Sequence, residues 1–351
     1  MSERKSADTI RALRGKHPEM RARDFARIHG IAEAELVAAQ IGHDDTRALR
    51  PDLGLLLNGL TEVGEIMALT RNESCVSEKI GQVERVEITP HAAMTLGADI
   101  DLRIFPRHWR FGFSTTRQDK EGRTHRALQF FDAQGQAVHK VHARPGTDIA
   151  AWNRLVETLA LPDQSDTIAV EPEIPPAPAP ESLVDAAELR RRWRAMTDTH
   201  QLFGLLRELK LTRLAALDAL GPDIAWELDH AAVARLFEAA AEQQVKLMAF
   251  VSNRGCTQIH GGTVHKIQMM GPWLNVLDPG FHMHLRLDQV ARVWAVRKPT
   301  RDGELTSVEV FDAQGEAIIQ LFGQRGSGQP EPADWRALAE SLPAQTLTRS
   351  A

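Results

Sequence analysis

The side chains of this sequence with most chemistry to offer are imidazoles and cations set among aromatic and small residues. In TDTHQLFGLLREL, helical spacing puts His200, Phe203, Gly204 and Arg207 on one face and Leu202, Leu205, Leu206 and Leu209 on a buried stripe. A glycine inside a helix costs about 1 kcal/mol relative to alanine, so Gly204 implies that something needs the space its side chain would take. A flat ligand laid against the helix would supply that reason. Close packing of helix on sheet would supply it equally, with His200 then a surface residue beside a cap at Asp198 or Thr199.

A second group lies on strands. In VWAVRK, alternation places Trp294, Val296 and Lys298 on one face, and in IIQLFGQR it groups Gln320, Phe322 and Gln324, with Arg325 at the strand end. Arg213 follows Thr212 at a helix start. Lys298, Arg213 and Arg325 have the chemistry to pair with the carboxylates of a dianionic ligand through charge-assisted hydrogen bonds; the plainer reading is a solvated, charged sheet edge. His282 and His284 in FHMHLR point the same way from one strand, with His260 and His265 on neighbouring segments. No third ligand at a characteristic spacing joins them, and HExxH and paired CxxC are absent, so a polar strand face is expected rather than a metal centre. Basic and aromatic residues mix in DLRIFPRHWRF, but no RNP, helix-turn-helix or zinc-finger pattern accompanies them, and nucleic acid is not expected as a partner. GxGxxG, Walker and GxSxG strings are absent, which leaves dinucleotide, P-loop and α/β-hydrolase readings without support.

The elements that must position these residues come as a repeat. Phe131-Asp132-Ala133-Gln134-Gly135 recurs at Phe311-Asp312-Ala313-Gln314-Gly315, 180 positions later. Met67–Ile88 lies over Met248–Met269 without a gap, making Cys75 and Cys256 counterparts, and Trp152-Asn153-Arg154-Leu155 answers Trp335-Arg336-Ala337-Leu338. Between the copies runs the proline-rich LPDQSDTIAVEPEIPPAPAP, which favours an extended linker over a packed core. The expected division is an N-terminal repeat over 1–162, a linker over 163–182 and a C-terminal repeat over 183–351. Three- and four-residue apolar spacing predicts helices over Ala186–Met196, His200–Leu209, Arg213–Leu220 and His230–Gln244. After Val245, VKLMAFVSN, TVHKIQMM, FHMHLRL, VARVWAVRK, LTSVEVF and AIIQLFG read as strands joined by short turns, which requires antiparallel pairing. Each half is then an α+β unit, a large antiparallel sheet with helices before and after it.

Composition agrees with an ordinary globular chain: 351 residues, 43% apolar and 25% charged, with a formal charge of −5 that attracts neither nucleic acid nor anionic membrane in general. The start is charged and lacks an apolar core, and no run of about 18 apolar residues occurs, so a cytoplasmic protein without membrane insertion is expected. Two cysteines are too few for a disulfide framework, and no tyrosine exists to act as ligand or acid.

The strings TDTHQLFGLLRELKLTR, FVSNRGCTQIH, HLRLDQVARVWAVRKPT and DLRIFPRHW, together with the duplication, are where the chain resembles a known family. It is similar over nearly its whole length to the cytoplasmic haem-utilisation proteins of the HemS/HmuS/ChuS type, the hemin-degrading factors of Gram-negative haem uptake. The resemblance implies one haem b, as ligand or substrate, in a cleft of the C-terminal half, with His200 as proximal iron ligand. Arg103 and Phe105 match the family's distal Arg-x-Phe, Arg103 being the catalytic group if the protein is an enzyme. Arg213, Lys298, Gln320 and Arg325 match contacts to the propionates or rim, and Phe250 matches an apolar wall. Phe322 stands where the family commonly has tyrosine, which removes one hydrogen bond from that edge.

Counting back from Gly42, the counterpart of Gly221, puts Arg21 where the second half has His200. Arginine cannot serve as a neutral iron ligand, so one haem per chain is expected, with the N-terminal half as scaffold and distal side. Two roles fit these residues: oxidative haem degradation driven by an external reductant, since no flavin or nicotinamide motif is visible, or a haem chaperone serving between an inner-membrane importer and a separate haem oxygenase. An importer, an oxygenase or a reductase are the partners this implies.

Overall fold

Each Phe-Asp-Ala-Gln-Gly string closes the same turn. Asp132 Oδ1 accepts the backbone N–H groups of Gln134 and Gln136, and Asp312 Oδ1 those of Gln314 and Glu316, all at 2.9–3.0 Å. Gly135 and Gly315 close these turns at φ of +74° and +81°, a region that glycine enters without strain. The strands that enter the turns are bulged at matching places, Phe130/Phe131 and Val310/Phe311.

The computed structural model of the chain describes residues 4–172, 185–326 and 328–345. The first half runs α1 (Ala7–Lys16), α2 (Ala22–His29), α3 (Glu33–Ala38), β1 (Asp45–Leu49), α4 (Leu53–Leu60), β2 (Gly64–Arg71), β3 (Cys75–Gly81), β4 (Arg85–Ile88), β5 (Ala93–Leu96), β6 (Asp101–Ile104), β7 (Phe111–Gln118), β8 (Thr124–Phe131), β9 (Ala137–Thr147) and α5 (Ile149–Leu159). The second half runs α6 (Ala186–Arg194), α7 (Gln201–Leu209), α8 (Arg213–Leu220), β10 (Ala225–Leu228), α9 (Ala232–Glu242), β11 (Leu247–Ser252), β12 (Cys256–Gly262), β13 (Ile267–Met270), β14 (Trp273–Asp278), β15 (Phe281–Arg286), β16 (Arg292–Thr300), β17 (Gly303–Phe311), β18 (Ala317–Gly323) and α10 (Ala333–Ser341). The four helices expected in the second half are present, Arg213–Leu220 with the bounds expected and the other three with trimmed ends. Strands β12 and β14 are ones the residue pattern conceals, because glycines in CTQIHGG and the asparagine in WLNVLD are poor strand formers.

The described residues fall into two compact units: those of Met1–Arg71, Ser77–Ile174 and Ser252–Gln258, and those of Asn72–Val76, Pro175–Val251 and Ile259–Ala351. In the first, β1-β7-β8-β9-β2 form an antiparallel run and β4-β5-β6 a shorter one. The second repeats both, as β10-β16-β17-β18-β11 and β13-β14-β15. The duplicated α+β architecture is therefore realised in full.

Helices cover the long runs because their apolar stripes demand it. In the first unit Leu56 and Leu60 of α4 and Trp152 and Leu155 of α5 pack on Ile66, Leu128 and Val141. In the second, Leu236 and Phe237 of α9 with Trp335 and Leu338 of α10 cover Val308, Val310 and Leu321. The opposite face is covered in part by α6–α8, whose Leu189, Trp193, Leu205 and Leu217 meet Trp294, Val296 and Phe311. Each such buried side chain contributes roughly 1.5–3 kcal/mol.

Each unit is completed by a short segment from the other half of the sequence, and an asparagine fixes it. In the first unit Asn253 Oδ1 accepts from the N–H groups of Gly255 and Cys256, while its Nδ2 donates to Arg71 O and Val138 O at 2.9 and 2.8 Å. In the second, Asn72 Oδ1 accepts from Ser74 and Cys75, and its Nδ2 donates to Ile318 O at 2.8 Å. Cys256 thus joins the first unit's core and Cys75 the second's, both as buried free thiols. Residues 163–172 pack on the first unit, through Asp166 on Arg11 and Glu171 N–H on Ala133 O. The rest of the expected linker, 173–182, lies outside the described residues. No helix among the described residues is long and apolar enough to cross a membrane.

Candidate functional site

His200 occupies the cap position before α7, where its backbone N–H and its Nδ1 both meet Asp198 Oδ1, at 2.8 and 2.7 Å. With Nδ1 donating to the carboxylate, the neutral ring keeps Nε2 as its basic nitrogen. The imidazole is otherwise open to solvent, 90% exposed. The bonds from His200 hold the Asp198 carboxyl below its usual range. A carboxylate behind Nδ1 is how metal-ligating histidines are oriented and made more basic. Phe203, almost one turn on, is 76% exposed, so an aromatic surface stands beside the imidazole. Apart from its chain neighbours and the backbone of α7 itself, no described atom lies within 4 Å of the place a Cβ would take at Gly204, so packing against another element does not account for that glycine.

The second cluster lies on one face of β16, β17, β18 and β11. Register pairs Phe250 with Gln320, Gln320 with Glu309, Glu309 with Trp294, and Phe322 with Met248 and Ser307. Paired residues share a face. Where α6–α8 end, this face continues as a half-buried wall of Phe250, Gln320 and Phe322, with the two rings edge to face at 5.3 Å. Lys298 is not at a solvated edge. Its side chain is 3% exposed, with Nζ 2.6 Å from Glu309 Oε1 and 4.4 Å from the centre of the Phe322 ring. Arg213, at the first position of α8, donates from Nε and Nη2 to the same carboxylate at 2.9 and 2.6 Å, and Ser307 Oγ adds a third donor at 2.9 Å. Burial works against the Glu309 charge, but the two cations outweigh it and keep its carboxyl far below the usual range. Burial also draws the Lys298 ammonium down to about 8, against the upward pull of Glu309.

Arg325 donates from Nη1 to Gln329 O at 2.7 Å and stands 3.6 Å from Asp302. Arg301, beside Asp302 in the β16–β17 turn, donates its N–H to Thr197 O at 2.9 Å. That turn ties the loop before His200 and the side chain of Arg325 to one end of the sheet. Within the second unit the structure therefore gathers Phe250, Gln320, Phe322, Lys298 and Arg213 on one face and sets Arg325 and the His200 loop together.

Arg103 and Phe105 belong to the first unit. Arg103 leans on the Asp101 carboxylate, two residues before it on β6, and donates to Leu102 O at 3.1 Å. Burial raises the Asp101 carboxyl, with Arg103 pulling the other way. Phe105 is 37% exposed and donates its N–H to Gly255 O at 3.0 Å. Arg21 stands at the N-cap position of α2 and His200 at that of α7, neither with a capping side-chain bond. His282 and His284 share a strand face, His284 meeting Asn275 Oδ1 at 2.6 Å. Among the described residues no group of three or more His, Cys, Asp or Glu is arranged to hold a metal ion.

Sequence reasoning passed over Glu309 and Asp101. Both left a signal: Glu309 is a carboxylate in the otherwise apolar VEVF, and Asp101 sits at the two-residue spacing that shares a strand face with Arg103.

Comparison with known families matches the chain twice, over residues 30–159 and 210–342, to the haemin-degrading HemS/ChuX domain. The hemin transport protein HmuS of Yersinia pestis is 41% identical over 324 residues, covering 92% of this chain and 93% of the relative. Among solved structures, the holo form of PhuS, a heme-binding protein of Pseudomonas aeruginosa, superposes with a TM-score of 0.92 at 44% identity, covering 97% of this chain and 98% of the other. ChuS, an E. coli heme oxygenase, gives 0.87 at 36% identity, covering 95% and 99%.

Proposed function

This chain belongs to the haemin-degrading HemS/ChuX domain family, and from that premise we propose that it binds one haem per chain in the cytoplasm, with His200 Nε2 on the iron, and serves intracellular haem transfer with release of iron by ring degradation where a reductant is supplied. The observation that carries the reading is the His200–Asp198 pair: an exposed imidazole with Nδ1 already committed and Nε2 free to ligate. The remaining groups suit the rest of a haem. Phe203 offers an aromatic surface beside the imidazole, and Gly204 leaves room on the same helix face. Phe250 and Phe322 form an apolar wall, and Gln320, Arg213 and Arg325 offer donors to carboxylates. Lys298 acts at the same end through the charge it shares with Glu309. On this reading Arg103 would serve as a hydrogen-bond donor and Phe105 as an aromatic contact, the roles that the family's Arg-x-Phe implies. Haem would supply the iron and, if it is degraded, the ring that is opened; this chain would supply ligation and charge.

The two roles separate in one experiment. Hemin is titrated into the protein, and ascorbate or a reductase is then added in air with catalase present while carbon monoxide is followed. A one-to-one Soret complex that bleaches with release of carbon monoxide and a tetrapyrrole establishes degradation. A complex that survives and passes haem to an apo-oxygenase establishes transfer alone. Absence of any Soret complex removes the haem reading altogether.

A further inference from the structure

Glu309 lies wholly buried in the middle of β17, yet it is the point on which both cations of the binding face converge. Its partners are not equivalent. Lys298 is 3% exposed, backed by the Phe322 ring, and spends its charge on Glu309 Oε1. Arg213 is 16% exposed, fixed through Nε and Nη2, and its Nη1 group takes no part in that pair. Two cations and one carboxylate leave a single net positive charge, and the side chain with reach to solvent is the arginine.

We propose that Glu309 is the positioning residue of the carboxylate-binding end: it balances Lys298 and holds Arg213 by two bonds, so that the Nη1 group of Arg213 is offered in a fixed place to a haem propionate. This rests on the haem reading given above. A guanidinium held at one edge by a carboxylate loses little freedom when its other edge binds a second one, which is why such forks give geometry as well as charge. Without Glu309 the buried ammonium and guanidinium would face each other unscreened, Lys298 would lose its proton, and Arg213 would be free to turn. Ser307 keeps the carboxylate itself from rotating.

The test compares hemin with its dimethyl ester, in which the propionates carry no charge, on the full-length protein. Glu309→Gln is expected to weaken hemin binding tenfold or more and to leave the ester within about twofold, with the His200 ligation spectrum unchanged. Glu309→Asp, which keeps the charge but draws it back by one methylene, is expected to show the same selectivity with a smaller loss, and it carries the test if the glutamine variant does not fold. Equal losses for both ligands would mean that Glu309 only supports the fold. No loss, or tighter hemin binding, would mean that it does not position the arginine; each of these results overturns the proposal. A wild-type chain that binds neither ligand overturns the haem reading itself, whereas a wild type that binds hemin beside a non-selective variant overturns only the role of Glu309.

Discussion

At the scale of single residues, the carboxylate behind His200 prepares its imidazole for the ligand role proposed above. Replacing His200 with alanine is expected to shift the Soret and visible bands of the ferric complex and to weaken binding at least tenfold; an unchanged spectrum would remove it as the axial ligand. Asp198→Asn keeps the imidazole but removes the carboxylate that holds its Nδ1. A loss of about tenfold in hemin affinity is expected, in line with other partners that stand behind metal ligands, and is read by titration. Arg103 stood out by the resemblance of its string, and the structure adds that it leans on Asp101. Arg103→Ala is expected to change the spectrum of ferrous and oxygen-exposed forms while leaving the His200 bond in place.

At the scale of elements, Gly204 separates folding from binding. No other element of the described structure touches the space beside it, so Gly204→Ala should stabilise α7 by roughly 0.5–1 kcal/mol. If that space serves a ligand, the same variant binds hemin more weakly. Thermal melts and hemin titrations on one preparation give both answers, and a variant that is more stable with undiminished binding would show the glycine to be incidental. Strand β9 carries a different liability. Burial, reinforced by the charge of His142, brings His139 down to about 3, its Nδ1 resting on Thr70 Oγ1 at 2.9 Å. An unfolded histidine titrates near 6.5. Below that pH the unfolded chain binds a proton that the folded unit refuses, so stability present above about 6.5 is lost as pH falls toward 3, at about 1.4 kcal/mol per pH unit. His142 adds to this, less firmly because it stays partly exposed. Denaturant melts between pH 7 and 4 should show the decline, and His139→Gln should flatten it.

At the scale of the whole molecule, the repeat is completed by exchange of short segments, and Asn72 and Asn253 are the residues that fix it. Asn253→Ala strips partners from four backbone groups of the first unit, and Asn72→Ala from three of the second. Each is expected to cost about 1–3 kcal/mol, measurable as a lowered urea midpoint. The sequence by itself determined the duplication, the α+β class, the antiparallel order and the residues that resemble a haem family, because turns, apolar periods and identical strings are local and survive in a linear reading. It also aligned Arg21 with His200, and the two residues stand at the N-cap positions of α2 and α7. Only the tertiary structure decided that Lys298 is buried rather than solvated, that Glu309 balances it and grips Arg213, and that each cysteine lies in the core of the unit formed mainly by the other half. Those facts depend on which strands lie side by side and which face a helix covers, and a charge pays for burial only with partners that are distant in sequence; Arg213 and Glu309 stand 96 positions apart.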